Sequence, residues 1–291
     1  MLFQPSEYIF PTSIEDSVTL LDRFGERAAI IAGGVTLYEA AKRGLLSHID
    51  TLLDISKIGL DHIFFESDLF MVQSMVTFSR LSEAPEIRRN CYAALADCLH
   101  KFVPLQVKNL ATVGGSLCSG LPFLDLPTIL VALGAKLRIS GPKNVRTLPL
   151  NEFYHGMFQT DLRKGEMLAG VDIAAPRERT GSAFVNLKRN AVDIPVLSTV
   201  ASVTLGRDDT CASISFAMGG VAETVVRVGE LERSLLGKKL TQEEVARACR
   251  VLDSLDPIES ISAGSDYKRE LAKVLAEEVL LRAGDRATGV L

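Results

Sequence analysis

Cysteine, histidine and tryptophan are scarce in this chain, and their scarcity limits the chemistry that it can carry out alone. The 291 residues include five cysteines, four histidines and no tryptophan. Cys91 and Cys98 are the closest cysteines, yet seven positions along a helix separate them by about 10 Å. No Cys-x-x-Cys pair occurs, and zinc and iron–sulfur sites need more closely grouped ligands. We therefore expect no metal site here, and expect any metal of the system to lie on another chain.

Long apolar runs and an excess of positive charge are also missing. No apolar stretch reaches the ~18–20 residues that span a bilayer, and residues 1–7 lack the features of a secretory signal. The 32 basic and 36 acidic residues give a formal net charge of −4, whereas nucleic-acid binding depends on basic patches. We expect a cytoplasmic protein with no membrane span and no nucleic-acid partner.

The composition that remains is typical of a globular protein. The chain is 47% hydrophobic and 23% charged, and its length suits about two domains of ~100–200 residues each. Up to about residue 175 strand and helix patterns mix, with a helix at 14–24, a fully buried strand at 28–32 and helices at 36–42 and 86–100. Beyond it, strands at 183–188, 196–205 and 211–218 precede helices at 228–236, 242–252 and 267–282. This order predicts an α+β fold whose last part has an antiparallel sheet.

Two glycine pairs are the most informative feature of the sequence. Gly33-Gly34 and Gly114-Gly115 each follow a short apolar run, and a hydroxyl residue, Thr36 or Ser116, comes soon after each. Glycine allows the backbone to turn tightly and to point amide N–H groups at phosphate oxygens. Neither segment has the pattern of a Walker loop or a Rossmann fingerprint. Two such segments predict a clamp on the diphosphate of a dinucleotide.

The order of motifs resembles the FAD-binding medium subunit of molybdenum hydroxylases, as in carbon monoxide dehydrogenase and the xanthine dehydrogenase FAD domain. Residues 32–37, Ala-Gly-Gly-Val-Thr-Leu, and 106–117, Gln-Val-Lys-Asn-Leu-Ala-Thr-Val-Gly-Gly-Ser-Leu, are similar to the two pyrophosphate segments of that family. The segments 145–156, 187–194 and 219–222 follow in the family's order. The resemblance covers nearly the whole chain.

The resemblance implies a fold and a set of domains. The fold is a PCMH-type FAD-binding domain of two α/β subdomains, at about 1–56 and 57–175. A smaller C-terminal domain at 176–291 carries an antiparallel sheet and helices.

The resemblance also implies which residues bind FAD. The diphosphate would lie against residues 30–37 and 111–116, Asp125 would hydrogen-bond the cofactor's polar linker, and Phe102, Leu168 and Ile194 would lie against adenine or flavin rings. Lys188 would neutralise phosphate charge. The predicted cofactor-binding residues are Ile30, Ile31, Ala32, Gly33, Gly34, Val35, Thr36, Leu37, Phe102, Ala111, Thr112, Val113, Gly114, Gly115, Ser116, Asp125, Leu168, Lys188 and Ile194.

Some of these residues also fit ordinary structural roles. Phe102 and Leu168 are as expected in a hydrophobic core, Asp125 could cap the helix that follows it, and Lys188 could lie on a solvated strand edge. The chain departs from the family pattern at Asn186, where a lysine is usual, so the contribution of that cation is either missing or supplied by Lys188.

Function follows from the resemblance and from the absence of catalytic groups. We find no Ser/His/Asp arrangement and no paired catalytic carboxylates, so the chemistry would belong to the flavin. By resemblance, a substrate is hydroxylated at a molybdopterin centre, of the cytosine dinucleotide form, on a large subunit. Electrons then pass through two [2Fe-2S] clusters on a small subunit to the FAD of this chain and on to an external acceptor. The expected assembly is a dimer of heterotrimers, that is, a heterohexamer.

Two alternatives stay open at this point. A stand-alone PCMH-type flavin oxidoreductase would turn over without partners, and a scaffold subunit would bind no cofactor. The sequence does not identify the substrate, and carbon monoxide, aldehydes, purines and N-heteroaromatics all stay open as candidates. It does not identify the electron acceptor either, for which NAD, oxygen and quinones stay open.

Overall fold

The computed structural model describes residues 4–102, 104–175 and 178–289. The strands are β1 (Glu7–Ile9), β2 (Ala28–Ile31), β3 (Thr51–Asp54), β4 (Ile63–Glu66), β5 (Leu69–Gln73), β6 (Lys136–Ser140), β7 (Val145–Pro149), β8 (Tyr154–Gly156), β9 (Gln159–Thr160), β10 (Met167–Ala174), β11 (Thr180–Leu187), β12 (Leu197–Leu205), β13 (Cys211–Gly219) and β14 (Val226–Arg227). The helices are α1 (Ile14–Phe24), α2 (Val35–Lys42), α3 (Phe78–Glu83), α4 (Ala93–His100), α5 (Leu105–Leu110), α6 (Val113–Cys118), α7 (Asp125–Ala132), α8 (Gly229–Leu235), α9 (Gln242–Cys249) and α10 (Ser265–Thr288).

These elements form two compact units, each built from separate stretches of chain. The first takes the described residues of 1–81, 104–120 and 136–173, and the second takes those of 82–103, 121–135 and 174–291. The second unit therefore includes stretches that precede residue 175. The boundary between domains at residue 175 stays a prediction.

The first unit begins with a small parallel sheet of order β1-β3-β2. Helix α1 precedes β2, and the Ser13 hydroxyl caps it by accepting a hydrogen bond from the Asp16 amide at 3.0 Å. Gly25 ends the helix with a φ of 58°. Both ends agree with the sequence prediction of a helix at 14–24. Strand β2 was predicted to be fully buried, which is wrong, because all four of its residues are only half-buried.

A larger sheet completes the first unit. Its order is β4-β5-β10-β6-β7, with antiparallel pairing of β4 with β5, β10 with β6 and β6 with β7. Hairpin β8–β9 follows β7 in the chain. Arg146 on β7 donates to the Asp161 carboxylate at 2.7 Å and, through two nitrogens, to the Glu166 carboxylate at 2.8 and 2.7 Å. These bonds tie the stretch between β9 and β10 to the sheet.

The second unit is an antiparallel sheet of order β11-β12-β13-β14 with helices packed on it. Helix α10 packs on β11 and β12, and α8 packs on β13. A hydrophobic core of this unit lies beneath these helices, with Phe216, Leu231, Val245, Val279 and Leu280 each fully buried. Helix α4 contacts β11, and α7 contacts β12 and β13. The predicted antiparallel strands followed by helices are confirmed.

The predicted helix at 86–100 is wrong in its first half. Two 3₁₀ turns, Pro85–Arg88 and Asn90–Tyr92, come before α4, and Arg89 between them is extended, with a ψ of 140°. Ile87, Leu95 and Cys98 are buried as their spacing suggests. Short 3₁₀ turns and an α-helix can present the same apolar residues to a core. The spacing therefore does not locate the break.

No helix within the described stretches is long and apolar enough to cross a membrane.

Candidate cofactor-binding site

The first glycine pair connects β2 to α2. Gly34 has a φ of 73°, a left-handed value that glycine adopts without strain, and it caps the N-terminus of α2. The amide groups of residues 33–37 donate to no acceptor among the described residues. This is expected for the first turn of a helix, whose leading N–H groups have no partner within it. The segment therefore presents a group of free donors.

The expectation of a tight glycine loop at the second pair is wrong, because this pair lies inside a helix. Gly114 and Gly115 belong to α6, which Thr112 caps by accepting a hydrogen bond from the Gly115 amide at 3.0 Å. The amides of residues 113, 114 and 116 donate to backbone carbonyls at 2.9, 2.8 and 3.0 Å. All four amides at 113–116 thus have partners within the protein. This segment supplies a packed framework rather than free donors.

The two glycine segments lie against each other, as the sequence suggested. A Cβ on Gly33 would lie 1.6 Å from the carbonyl oxygen of Leu110, the residue directly before the second segment. Only glycine permits so close an approach of two backbones. Helix α2 also contacts α6. The first unit therefore gathers the predicted residues 30–37 and 111–116 in one place.

A second group of predicted residues surrounds Asp125 in the second unit. Asp125 is the first residue of α7 and is buried. Its Oδ2 accepts a hydrogen bond from Asn186 Nδ2 at 3.1 Å and pairs with Lys188 Nζ at 3.3 Å. Lys188 Nζ also lies 5.6 Å from the centre of the Phe102 ring. Phe102, Asp125 and Lys188 thus form one cluster.

Two alternatives for this cluster are wrong. The residue at the cap position of α7 is Leu124, and no side chain caps that helix, so Asp125 does not serve as the cap. Lys188 is no solvated edge residue, because its side chain is 17% exposed and faces a carboxylate that is 7% exposed. Its neighbour Arg189 is the solvated one, with 60% of its side chain exposed.

Asn186 contacts Asp125, which the sequence did not reveal. By the resemblance it stands where a lysine is usual, yet it donates to Asp125 beside Lys188. Side chains two apart on an extended strand share a face, and this spacing was the available signal. The departure at Asn186 therefore keeps a hydrogen bond to Asp125 and leaves the positive charge to Lys188.

The Asp125 carboxylate has a buried oxygen without a partner. Among the described residues, no group hydrogen-bonds Oδ1, although buried polar atoms are nearly always satisfied. Burial raises the pKa of Asp125, while Lys188 and Asn186 oppose the rise. A cavity of about 320 Å³ is lined by Asp125, Asn186, Lys188, Phe184 and Ala191, among others. The orphaned acceptor suits a ligand that brings a hydroxyl or N–H donor.

The last two predicted residues lie apart from these groups. Leu168 is on β10 in the first unit and is buried. Ile194 lies on the loop between β11 and β12 in the second unit, and the residue is 55% exposed. Their contact with a flavin or adenine ring stays a prediction.

Each unit by itself carries residues that suit one chemical group of a dinucleotide. In the first unit, the free amides at residues 33–37 suit phosphate oxygens, and glycine at 33 and 34 leaves room beside them. In the second unit, the unpartnered Oδ1 of Asp125 suits a ligand hydroxyl. Among the described residues, no group of three or more histidine, cysteine, aspartate or glutamate side chains could hold a metal ion.

Comparison with known proteins decides the family. Residues 3–176 match the model of the FAD binding domain in molybdopterin dehydrogenase, and residues 182–283 match the CO dehydrogenase flavoprotein C-terminal domain. The chain belongs to the molybdopterin dehydrogenase FAD-binding family. It is an FAD-binding subunit of the molybdenum hydroxylase family, and thus part of an oxidoreductase.

Relatives match this family member from end to end. It is 29% identical to the caffeine dehydrogenase subunit beta of Pseudomonas sp. strain CBB1 over 96% of this chain and 95% of that one. It is 29% identical to the carbon monoxide dehydrogenase medium chain of Hydrogenophaga pseudoflava, over 96% and 97% of the two chains. The carbon monoxide dehydrogenase structure from Hydrogenophaga pseudoflava superposes with a TM-score of 0.92 at 28% identity, covering 98% of this chain and 99% of that one. The quinoline 2-oxidoreductase structure from Pseudomonas putida 86 gives 0.90 at 26% identity, covering 99% of each. The predicted family and α+β fold are confirmed.

Proposed function

We propose that this chain is the electron-transfer subunit of a molybdenum hydroxylase complex. It binds FAD, receives electrons from two [2Fe-2S] clusters on a small partner subunit and passes them to an external acceptor. The substrate is hydroxylated at a molybdopterin site, of the cytosine dinucleotide form, on a large partner subunit. The complex is a cytoplasmic dimer of heterotrimers, and its substrate is an N-heteroaromatic compound, a purine, an aldehyde or carbon monoxide.

The full-length match to medium and FAD-binding subunits carries the proposal. A chain with five dispersed cysteines lacks the ligands for two iron–sulfur clusters, so those clusters belong to a partner. Relatives named for carbon monoxide, caffeine and nicotine span different substrates at similar identity. This spread is consistent with a substrate pocket on another subunit.

The residues of this chain bind and orient the cofactor. The free amides of residues 33–37 hold the diphosphate, Lys188 adds a positive charge, and Asp125 Oδ1 accepts a hydrogen bond from the polar linker. Phe102, Leu168 and Ile194 lie against the rings. When bound, FAD supplies the redox chemistry, since a flavin accepts electrons singly and releases them in pairs.

Purification of the chain from its native host tests the proposal. A tagged chain is purified under mild conditions, and the eluate is analysed for flavin, iron, molybdenum and co-eluting polypeptides. We expect two additional polypeptides together with iron, molybdenum and FAD. A flavin-containing chain that elutes alone and turns over a substrate would establish the stand-alone oxidoreductase instead. A complex without flavin would establish the scaffold.

A further inference from the structure

Lys268 on the first turn of α10 is a buried cation with no counter-ion among the described residues. Its residue surface is 2% exposed. Nζ donates to the carbonyl oxygens of Gly220 at 2.9 Å and Ile258 at 2.8 Å. Within the described part of the chain, no carboxylate forms an ion pair with it. Both acceptors are uncharged.

Such a group is unfavourable to bury, which distinguishes Lys268 from Lys273, the other lysine of α10. Lys273 pairs with Asp253 and Glu270, both at 2.8 Å. Removal of an ammonium from water costs several kcal/mol per ion, by order of magnitude, before any partner compensates. Burial accordingly lowers the pKa of Lys268. A methionine of similar length would fill the same space at lower cost, so packing alone does not explain the lysine.

A short chain of contacts leads from Lys268 to the segment that precedes Asp125. Gly220, whose carbonyl Lys268 holds, donates its amide to the Pro122 carbonyl at 3.0 Å. Pro122 lies three residues before Asp125, in the segment that leads into α7. Gly220 has a φ of 84°, and a Cβ there would lie 2.9 Å from the Val196 carbonyl oxygen. The peptide around Gly220 is therefore confined on both sides.

The neighbouring Gly219 adds a second connection to the same segment. A Cβ on Gly219 would lie 2.4 Å from Thr128 Oγ1 on α7 and 3.1 Å from the Pro122 carbonyl oxygen. On the sheet, Gly219 pairs with Ser198, and Ser198 pairs with Asn186. Because cross-strand partners lie on one face, these residues form a row that ends at Asn186, which donates to Asp125.

We propose that Lys268 is a positioning residue for Asp125, acting through Gly220 and Pro122. Its hydrogen bond to the Gly220 carbonyl fixes that peptide. The Gly220 amide in turn holds the Pro122 carbonyl in the segment that leads into α7, and this sets how deeply the Asp125 carboxylate is buried. The placement of Asp125 by Lys268 does not depend on a ligand. Only the effect of Lys268 on cofactor affinity rests on the proposed FAD function.

The direct test follows the carboxylate of Asp125 in the protein without cofactor. Selective ¹³Cγ labelling of aspartate gives its titration by NMR, with Asp125→Asn to assign the signal. In Lys268→Met we expect water to reach Asp125, so that the pKa of Asp125 moves towards the ordinary aspartate value. Lys273→Met, which removes an ion-paired lysine from the same helix, leaves the titration of Asp125 unchanged. An unchanged titration in Lys268→Met would overturn the proposal.

A purely structural role is excluded by a destabilised control. Leu280→Ala truncates a fully buried side chain twelve residues beyond Lys268 on α10 and costs about 2–5 kcal/mol of stability. It should leave the titration of Asp125 unchanged despite its lower stability. If Lys268→Met fails to fold, Gly220→Ala breaks the same connection from the other end while it keeps the ammonium. A normal Asp125 titration in that variant would equally count against the proposal.

Cofactor affinity gives an independent readout. We expect Lys268→Met to weaken FAD binding at least about tenfold, while Leu280→Ala and Lys273→Met bind as the wild type does. Wild-type affinity in Lys268→Met would contradict the proposal. If the wild-type chain itself binds no FAD, the proposed function fails, and the NMR titration still decides the role of Lys268.

Discussion

At the scale of single residues, the two glycine pairs are glycine for different reasons. Gly34 requires a left-handed backbone, and Gly33 lies against the Leu110 carbonyl. Gly114 lies against Ser74, because a Cβ added at Gly114 would be 2.6 Å from the Ser74 Cβ. From the sequence alone, Gly114→Val is the natural test of a diphosphate clamp. The structure shows that this change would disturb the packing of α6 on Ser74, so its effect would not report on a ligand.

Gly34→Ala is the sharper test of the first segment. Its Cβ would meet only the Ile31 side chain, at 3.6 Å, but the φ of 73° is unfavourable for alanine. We expect a stability loss of about 1–2 kcal/mol, and relief of the strain would turn the free amides at residues 33–37 away from phosphate. FAD affinity should fall at least about tenfold, as measured by fluorescence titration.

The chain offers a matched control at the other end of the same helix. Gly44 has a φ of 72° and no neighbour within 4 Å of an added Cβ. Gly44→Ala should lose similar stability and keep its FAD affinity. If Gly34→Ala and Gly44→Ala bind FAD equally well, the first segment is not the diphosphate site.

Lys188 and Arg189 provide a second comparison between neighbouring residues. Lys188→Met leaves the buried Asp125 carboxylate without its cation, which costs about 3–5 kcal/mol in comparable pairs. Arg189→Met removes an exposed pair with Asp193 and should change stability by about 0.5 kcal/mol or less. Urea unfolding at neutral pH measures both.

The pH dependence of Lys188→Met has a definite sign. Burial raises the pKa of Asp125, and Lys188 opposes that rise, so its removal raises the folded-state pKa further above the unfolded value of about 3.9. A group with a raised folded pKa favours the folded state below the unfolded value and loses that contribution as the pH rises through the folded value. The deficit of Lys188→Met should therefore shrink in acid. A deficit that is constant with pH would contradict this assignment.

At the scale of elements, local signals predicted helices well where caps were present. The helix at 14–24 was correct at both ends because Ser13 caps it and Gly25 ends it. The long last helix was predicted as 267–282 but extends over Ser265–Thr288, and it ends at Gly289, which has a φ of 79°. Helix α6 was missed because its glycine pair indicates a loop. The Thr112 cap and the fit against Ser74, which tertiary packing supplies, outweigh the low helix propensity of glycine.

The Arg146 network predicts how acid affects the segment around β8–β9. Hydrogen bonds from Arg146, then from His155, lower the pKa of Asp161. Burial would raise the pKa of Glu166, but bonds from Arg146 and the Arg163 amide hold it below its ordinary value of 4.5. Groups with lowered folded pKa values stabilise above their unfolded values, and this stabilisation is lost as the pH falls through the folded values.

Removal of Arg146 should flatten that dependence. We expect Arg146→Met to be less stable than wild type at neutral pH and to approach it as the pH falls below 4.5. Denaturant unfolding between pH 7 and pH 3 measures the difference. A gap between the two proteins that stays constant over this range would show that Arg146 does not stabilise these carboxylates.

At the scale of the whole molecule, sequence motifs identified the family and the α+β fold, while the predicted domain boundary at residue 175 stays a prediction. The second unit takes residues 82–102 and 121–135 from the stretch before residue 175, because these segments pack on strands that come much later in the chain. The sequence also placed Asp125 and Lys188 in one predicted FAD site, and it left open whether Lys188 supplies the charge that Asn186 lacks. Only the fold shows that Asn186 and Lys188 reach the same carboxylate oxygen.

The central claim is that this chain binds FAD by itself. The most direct test is to titrate the purified, flavin-free chain with FAD. Calorimetry measures the heat of binding, and the visible spectrum of the protein, recorded after unbound FAD is removed by filtration, shows whether flavin stays bound. The account predicts one FAD bound per chain, with flavin absorption bands that stay with the protein and a clear loss of affinity in Gly34→Ala but not in Gly44→Ala. An absence of binding heat, together with a colourless protein after filtration, would contradict it.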